Sequence, residues 1–200
     1  SFPWKTSLLV SGLITMIAAV HYFYMRDYYL ATGDSPTEFR YIDWTLTVPL
    51  MCVEFYLLLR PYGAKSSLMW LLILASAEML VTGYIGEAID PGNTVLWGFL
   101  STLGYLYIVY EASFGSVKKM ADASNNPNVV TAVRLMRNFV VVGWAIYPIG
   151  YMTMQGNWLE GMFAMDLIYN IGDAVNKIGF GLVVYMVAVN STRETAAATA

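Results

Sequence analysis

Six long apolar stretches, separated by short polar turns, leave few folds open to this sequence. They lie near 6–26, 40–60, 66–87, 94–115, 130–154 and 162–189. Each is long enough for a helix to cross a bilayer, which takes about 20 residues. The runs are continuous rather than alternating, so helices, not the strands of a closed barrel, are the way to satisfy the backbone in lipid. Residues that end helices fill the gaps, as in Asp90-Pro91-Gly92-Asn93 and Asn125-Asn126-Pro127-Asn128. The expectation is one all-α integral membrane domain over 1–192, with an Ala/Thr-rich frayed tail at 193–200. Lys5 and the run after it could mimic a secretion signal. That run continues at full spanning length with no obvious cleavage site, so it is read as a span.

Composition agrees. Charged residues make up 12% of the chain, about half the roughly 25% of a soluble domain. A net charge of −3 gives no reason to expect a nucleic-acid partner. The sole cysteine, Cys52, excludes an internal disulfide, and the lone histidine, His21, belongs to no metal-ligand spacing.

The charges sort by side. Lys5, Arg60, Lys65, Lys118, Lys119, Arg134, Arg137 and Arg193 fall on one side of the six spans. The other side holds Arg26 and Arg40 with Asp27, Asp34, Glu38, Glu87, Asp90 and Glu160. The excess of Lys and Arg marks the first side as cytoplasmic, which places both ends of the sequence there.

Charges within the spans narrow the function. Lys177 lies in the middle of the last span, too deep to snorkel, where a charge costs several kcal/mol. Asp173 and Tyr169 precede it at four-residue steps and share its helical face. One reading is a structural Lys–Asp pair between helices. The other is a lysine that forms a Schiff base with an aldehyde, with Asp173 in its counterion. In the second stretch, Arg40, Asp43, Thr47, Met51 and Glu54 fall within a sector of roughly 80°, which must face the bundle. Asp43 and Glu54 are 11 residues apart, about 16 Å along a helix and about half the hydrocarbon thickness. Two carboxyls at different depths suit a proton relay with separate acceptor and donor. Either acid alone could instead be a protonated interhelical hydrogen bond. Asp43, near two cations, is expected ionised, and Glu54, with none nearby in sequence, protonated.

At this point the residues resemble a known family. Arg40-Tyr41-Ile42-Asp43-Trp44 through Glu54-Phe55-Tyr56 is similar to the third helix of proteorhodopsins. Gly143-Trp144-Ala145-Ile146-Tyr147-Pro148 resembles their sixth, and Leu167-Ile168-Tyr169-Asn170 through Asp173, Asn176 and Lys177 their seventh. His21-Tyr22 and Thr32-Gly33-Asp34-Ser35-Pro36 resemble the second helix and its loop. The resemblance implies a microbial rhodopsin-like seven-helix bundle, of which the second to seventh helices are visible, with a further helix expected before Ser1. It implies a light-driven outward proton pump carrying all-trans-retinal covalently on Lys177. Asp43 would be counterion and proton acceptor, Asp173 second counterion and Glu54 proton donor. Thr47 completes the set that marks pumps, and His21 would bond to Asp43. Trp44, Met51, Trp144, Tyr147 and Tyr169 would line the retinal, and an apolar Met51 implies green absorption. Read without the family, Trp144 and Tyr147 would be core aromatics and His21 a satisfied buried histidine.

The implied setting is a bacterial inner membrane, crossed several times, with a cytoplasmic C-terminus and a homo-oligomeric ring of five or six. The alternative function is a sensory rhodopsin that signals through a partner, which Glu54 disfavours. Sodium or chloride pumps usually replace Asp43 or Glu54 with neutral groups. A non-retinal transporter or receptor would use Lys177 as a structural charge. Glu78, mid-span, has no role beyond a protonated interhelical bond or an interface contact.

Overall fold

The structure, a computed structural model, describes residues 4–153, 158–159 and 165–199. Eight α-helices are present among them: α1 Lys5–Thr32, α2 Thr37–Leu59, α3 Ser66–Tyr84, α4 Thr94–Ser113, α5 Ser116–Ala123, α6 Pro127–Asn138, α7 Ile146–Tyr151 and α8 Met165–Thr199. A π-helical turn at Ile85–Ile89 extends α3, and another at Phe139–Gly143 joins α6 towards α7. Among the described residues, six segments are long and apolar enough to cross a membrane: Lys5–Thr32, Thr37–Tyr62, Ser66–Ile89, Pro91–Ala123, Pro127–Tyr151 and Met165–Glu194. This is the all-helical, six-span membrane fold that the apolar periodicity predicts.

The central element is α2. Of its most apolar window 56% is buried, against 22% for α1. Its buried side chains run all along the helix, from Arg40 and Asp43 through Met51 and Cys52 to Leu59. Between α2 and α8, Phe55 and Phe180 meet edge to face at 5.8 Å, a favoured aromatic geometry. The outward surface is apolar: Leu9, Leu74, Phe99, Val142 and Leu182 are all exposed. In water such a surface would drive aggregation, whereas in a bilayer it is the solvated face.

Several boundaries differ from those read in the sequence. Helix α1 runs to Thr32 rather than 26, so Arg26 and Asp27 pair on the helix itself at 2.8 Å. The polar connection after the fourth span contains α5, which buries Val117 and Ala121. The stretch 130–154 is broken by the Phe139–Gly143 turn. Helix α8 continues to Thr199, past the 189 boundary and through residues read as frayed tail. Alanine there favours helix, which a reading based on apolarity alone overlooks. Glu160 and the stretch 162–164 lie outside the described residues.

Candidate functional site: a buried lysine between two carboxylates

Lys177 is 2% exposed, and its ammonium is shared by two carboxylates. It donates to Oδ2 of Asp43 from α2, and to Oδ2 of Asp173, one turn earlier on α8, at 2.5 Å. Asp43 and Asp173 are 0% and 1% exposed. Burying one cation with two carboxylates is tolerable only if the remaining oxygens find donors. At Asp173 they do. The Tyr22 hydroxyl donates to Oδ2 at 2.8 Å and the Tyr147 hydroxyl to Oδ1 at 2.7 Å. At Asp43, Oδ1 has no hydrogen-bond partner.

The expected bond from His21 to Asp43 is not formed. His21 Nδ1 stands 3.7 Å from Asp43 Oδ1 and instead lies 2.9 Å from the Ile17 carbonyl, where an Nδ1 proton would be donated. A carbonyl one turn back satisfies the ring without reaching across to α2. Nor does Arg40 pair with Asp43. Its guanidinium, 2% exposed, bonds Asp166 Oδ1 at 2.5 Å and lies over the Tyr169 ring at 5.0 Å. The lysine already occupies the Asp43 carboxylate, while Asp166 and Ser35 offer oxygens at the rim. Thr47 donates to the backbone carbonyl of Asp43 at 2.8 Å, not to its carboxylate.

Glu54 lies on the same buried face of α2, 0% exposed. Ser11 of α1 donates to its Oε1 at 2.9 Å, Ser7 is buried one turn earlier on α1, and Oε2 is unpartnered. Along the helix, Asp43 and Glu54 stand about 16 Å apart. Glu78 meets the backbone at Gly104, so it joins α3 to α4.

A cavity of about 360 Å³ adjoins the lysine cluster. Its walls include Trp44, Trp144, Tyr147, Pro148 and Tyr169, with Val95 and Phe99 on the lipid-facing side. Trp44 packs edge to face on Tyr147 at 4.9 Å and on Tyr169 at 5.5 Å. Four of the five residues expected around a retinal therefore line one cavity. The fifth, Met51, is buried outside its wall, and so is Lys177, held on its carboxylates. Tyr147 joins the two parts, since it lines the cavity and bonds Asp173. Apolar, aromatic walls beside an amine with counter-charges fit a conjugated aldehyde such as retinal.

Four polar residues of this network have no role in the sequence reading: Tyr22, Ser11, Asp166 and Glu87, the last accepting from the Tyr41 hydroxyl at 2.9 Å. For two of them a signal existed. Ser7, Ser11, Ile14, Ala18 and Met25 mark the buried stripe of α1 at three- and four-residue steps. Tyr22 falls on that stripe.

Comparison with known proteins agrees with this geometry. A family model described as bacteriorhodopsin-like protein matches residues 1–191. A blue-light absorbing proteorhodopsin from Gamma-proteobacterium Hot 75m4 is 48% identical, covering 96% of this chain and 77% of its own. A green-light absorbing proteorhodopsin from Gamma-proteobacterium EBAC31A08 is 45% identical over the same shares. The crystal structure of a blue light-absorbing proteorhodopsin from Med12 superposes with a TM-score of 0.77 at 39% identity, covering 96% of this chain and 86% of that one. A six-span bundle, a lysine buried between two aspartates and a match along nearly the whole sequence converge, and the chain belongs to the bacteriorhodopsin-like family, beside its proteorhodopsins.

Proposed function

We propose that this chain is a light-driven proton pump that moves protons outward, with retinal carried covalently on Lys177. The observation that carries this reading is the Lys177 ammonium held between Asp43 and Asp173 beside an aromatic cavity, with Glu54 buried further along the same helix. Retinal, once linked to the lysine nitrogen, supplies the light-absorbing polyene and keeps a positive charge at that nitrogen.

The protein's own groups do the rest. Asp43 touches the lysine nitrogen and has a free oxygen, so it is placed to accept the proton that leaves. Asp173, fixed by Tyr22 and Tyr147, holds a second negative charge against the nitrogen and orients the lysine. Glu54 then returns a proton to the nitrogen and is refilled from the cytoplasmic side. Thr47 pins the α2 backbone at Asp43, and His21 faces that carboxylate. Arg40, with Asp166, sets the field on the exit side. The net result is one charge moved outward, which against 100 mV costs about 2.3 kcal/mol. Trp44, Trp144, Tyr147 and Tyr169 shape the polyene site, and Met51 favours green absorption. The excess of basic residues at both ends of the sequence and in its second and fourth gaps supports a cytoplasmic C-terminus in a bacterial inner membrane. The proposed assembly is a homo-oligomeric ring of five or six.

The test is reconstitution. Apoprotein mixed with all-trans-retinal should develop a visible band that Lys177→Ala does not form. Light should acidify a suspension of expressing cells, and an uncoupler should abolish the signal. No visible band would remove retinal from the account. A band without acidification would overturn the pump and leave a sensory role in its place.

A further inference from the structure

The turn Phe139–Gly143 is held from both sides by side chains that the proton path does not use. Its widened hydrogen-bond pattern, with the Trp144 amide donating to the Phe139 carbonyl, leaves neighbouring carbonyls available. The Tyr105 hydroxyl from α4 is shared between the Val140 and Val141 carbonyls, at 3.2 and 2.9 Å. From the opposite side, the Asn176 amide of α8 donates to the Gly143 carbonyl at 3.0 Å. Asn176 is 2% exposed, so this bond is made away from lipid and water.

Two glycines let α8 and this turn come together here. A methyl on Gly143 would lie 1.9 Å from Asn176 Oδ1, and one on Gly179 would lie 2.3 Å from the Phe139 ring. Asn176 is the residue before Lys177. Gly143 is the residue before Trp144, which lines the cavity and is itself 2% exposed. A short covalent and hydrogen-bonded path therefore runs from the cavity wall, through Trp144, the Gly143 carbonyl and the Asn176 amide, to the backbone of the lysine. π-Helical turns inside α-helices frequently sit at functional sites, and here the Trp144 amide, now on the Phe139 carbonyl, has the Val140 carbonyl as its α-helical alternative, so the turn has two hydrogen-bond registers. Such a two-register element is the kind of part that can carry coupling between sites.

We propose that Asn176 is a positioning residue that couples the cavity wall to Lys177, through its bond to the Gly143 carbonyl. This deepens the pump reading and rests on it for its role in the cycle. While the bond is made, the lysine backbone and the turn move as one. A push on Trp144 strains or breaks the bond, which frees the turn to change register and the lysine nitrogen to turn from Asp43 towards Glu54. The coupling therefore acts on the second proton step, return from Glu54, and leaves the first step to Asp43 nearly untouched.

The experiment compares wild type, Asn176→Leu, Asn176→Gln and Tyr105→Phe in the full chain. Hydrogen–deuterium exchange of peptides covering 139–148 is read on dark apoprotein, so it needs neither retinal nor light. Losing a buried hydrogen bond should speed exchange there about tenfold in Asn176→Leu. Asn176→Gln, which keeps the amide, should restore much of the protection. In retinal-loaded protein, Asn176→Leu should change the rate of proton return by about tenfold and the first proton step by less than about twofold. Tyr105→Phe, which keeps the ring that Tyr105 contributes to the cavity wall, should loosen the turn without changing the ratio of the two rates, because the Tyr105 hydroxyl bonds the turn and not α8. Unchanged exchange in Asn176→Leu overturns the latch, and an equal change of both steps overturns the coupling. If Asn176→Leu does not fold, the same two readings on Asn176→Ala, which also removes the amide, decide. Wild type that binds no retinal or moves no protons defeats the pump reading instead, and the exchange result still judges the latch.

Discussion

The two halves of α2 present opposite solutions to burying a carboxyl. Around Asp43 the groups are dense and interlocked: a lysine, a second aspartate, and two tyrosine hydroxyls on that aspartate. Further out, Arg40, Asp166 and Ser35 form another linked set. Around Glu54 the hydrogen-bond partner among the described residues is the Ser11 hydroxyl of α1, and the neighbours along α2 are Met51, Cys52, Phe55 and Leu58, all buried. One half is a network in which each charge is met by several groups. The other is a single acid in a dry, packed core. A connected network can pass charge on and tolerate the loss of a peripheral member. An isolated acid can hold its proton until it is needed, but everything rests on it and its few contacts.

The largest expected effect is at the centre of the network. Asp43→Asn removes the acceptor, and light-driven acidification should fall by about 100-fold or more. Persistent pumping would break the assignment of acceptor to the dense half. Glu54→Gln should slow proton return to the lysine nitrogen by about 100-fold, read as a delayed late phase in flash spectroscopy, while the first step keeps its rate. An unchanged late phase would mean that the dry half does not supply the proton. Ser11→Ala should change the same late phase by about tenfold, the value of one buried hydrogen bond. Smallest is Asp166→Asn, because Asp166 is 39% exposed, so solvent can screen the loss, and the asparagine oxygen can still accept from Arg40. Pumping should stay within about twofold of wild type. If Asp166→Asn proved more damaging than Ser11→Ala, the contrast between a redundant half and a fragile half would be reversed.

Much of this was readable before any coordinates. Lys177, Asp43 and Glu54 announce themselves because a charge in an apolar span is costly and must be compensated. The shared face of Arg40, Asp43, Thr47 and Glu54 follows from helical periodicity alone, and all four are buried. What each side chain touches was less accessible. Arg40 has two carboxylates within reach, and the choice of Asp166 depends on Lys177 having taken Asp43 first. His21 and Thr47 both satisfy themselves on backbone carbonyls one turn away, which periodicity does not reveal. The hydroxyls of Ser11 and Tyr22 carry no charge, so nothing in the composition of α1 marks them out, although they lie on or beside its buried stripe. The turn at Phe139–Gly143 was invisible for a different reason. Its residues are apolar and continue the span, and the extra residue per turn shows only in the hydrogen bonds.

Cys52, the sole cysteine, is completely enclosed beside Met51 in α2. A thiol so sealed from solvent is inert towards reagents that attack exposed cysteines. These 200 residues therefore give a silent background for site-directed labelling. A cysteine introduced at an exposed position of α5 or in the Gly33–Pro36 turn would react where Cys52 does not, ready for a spin label or a fluorophore, with the core left as it is packed.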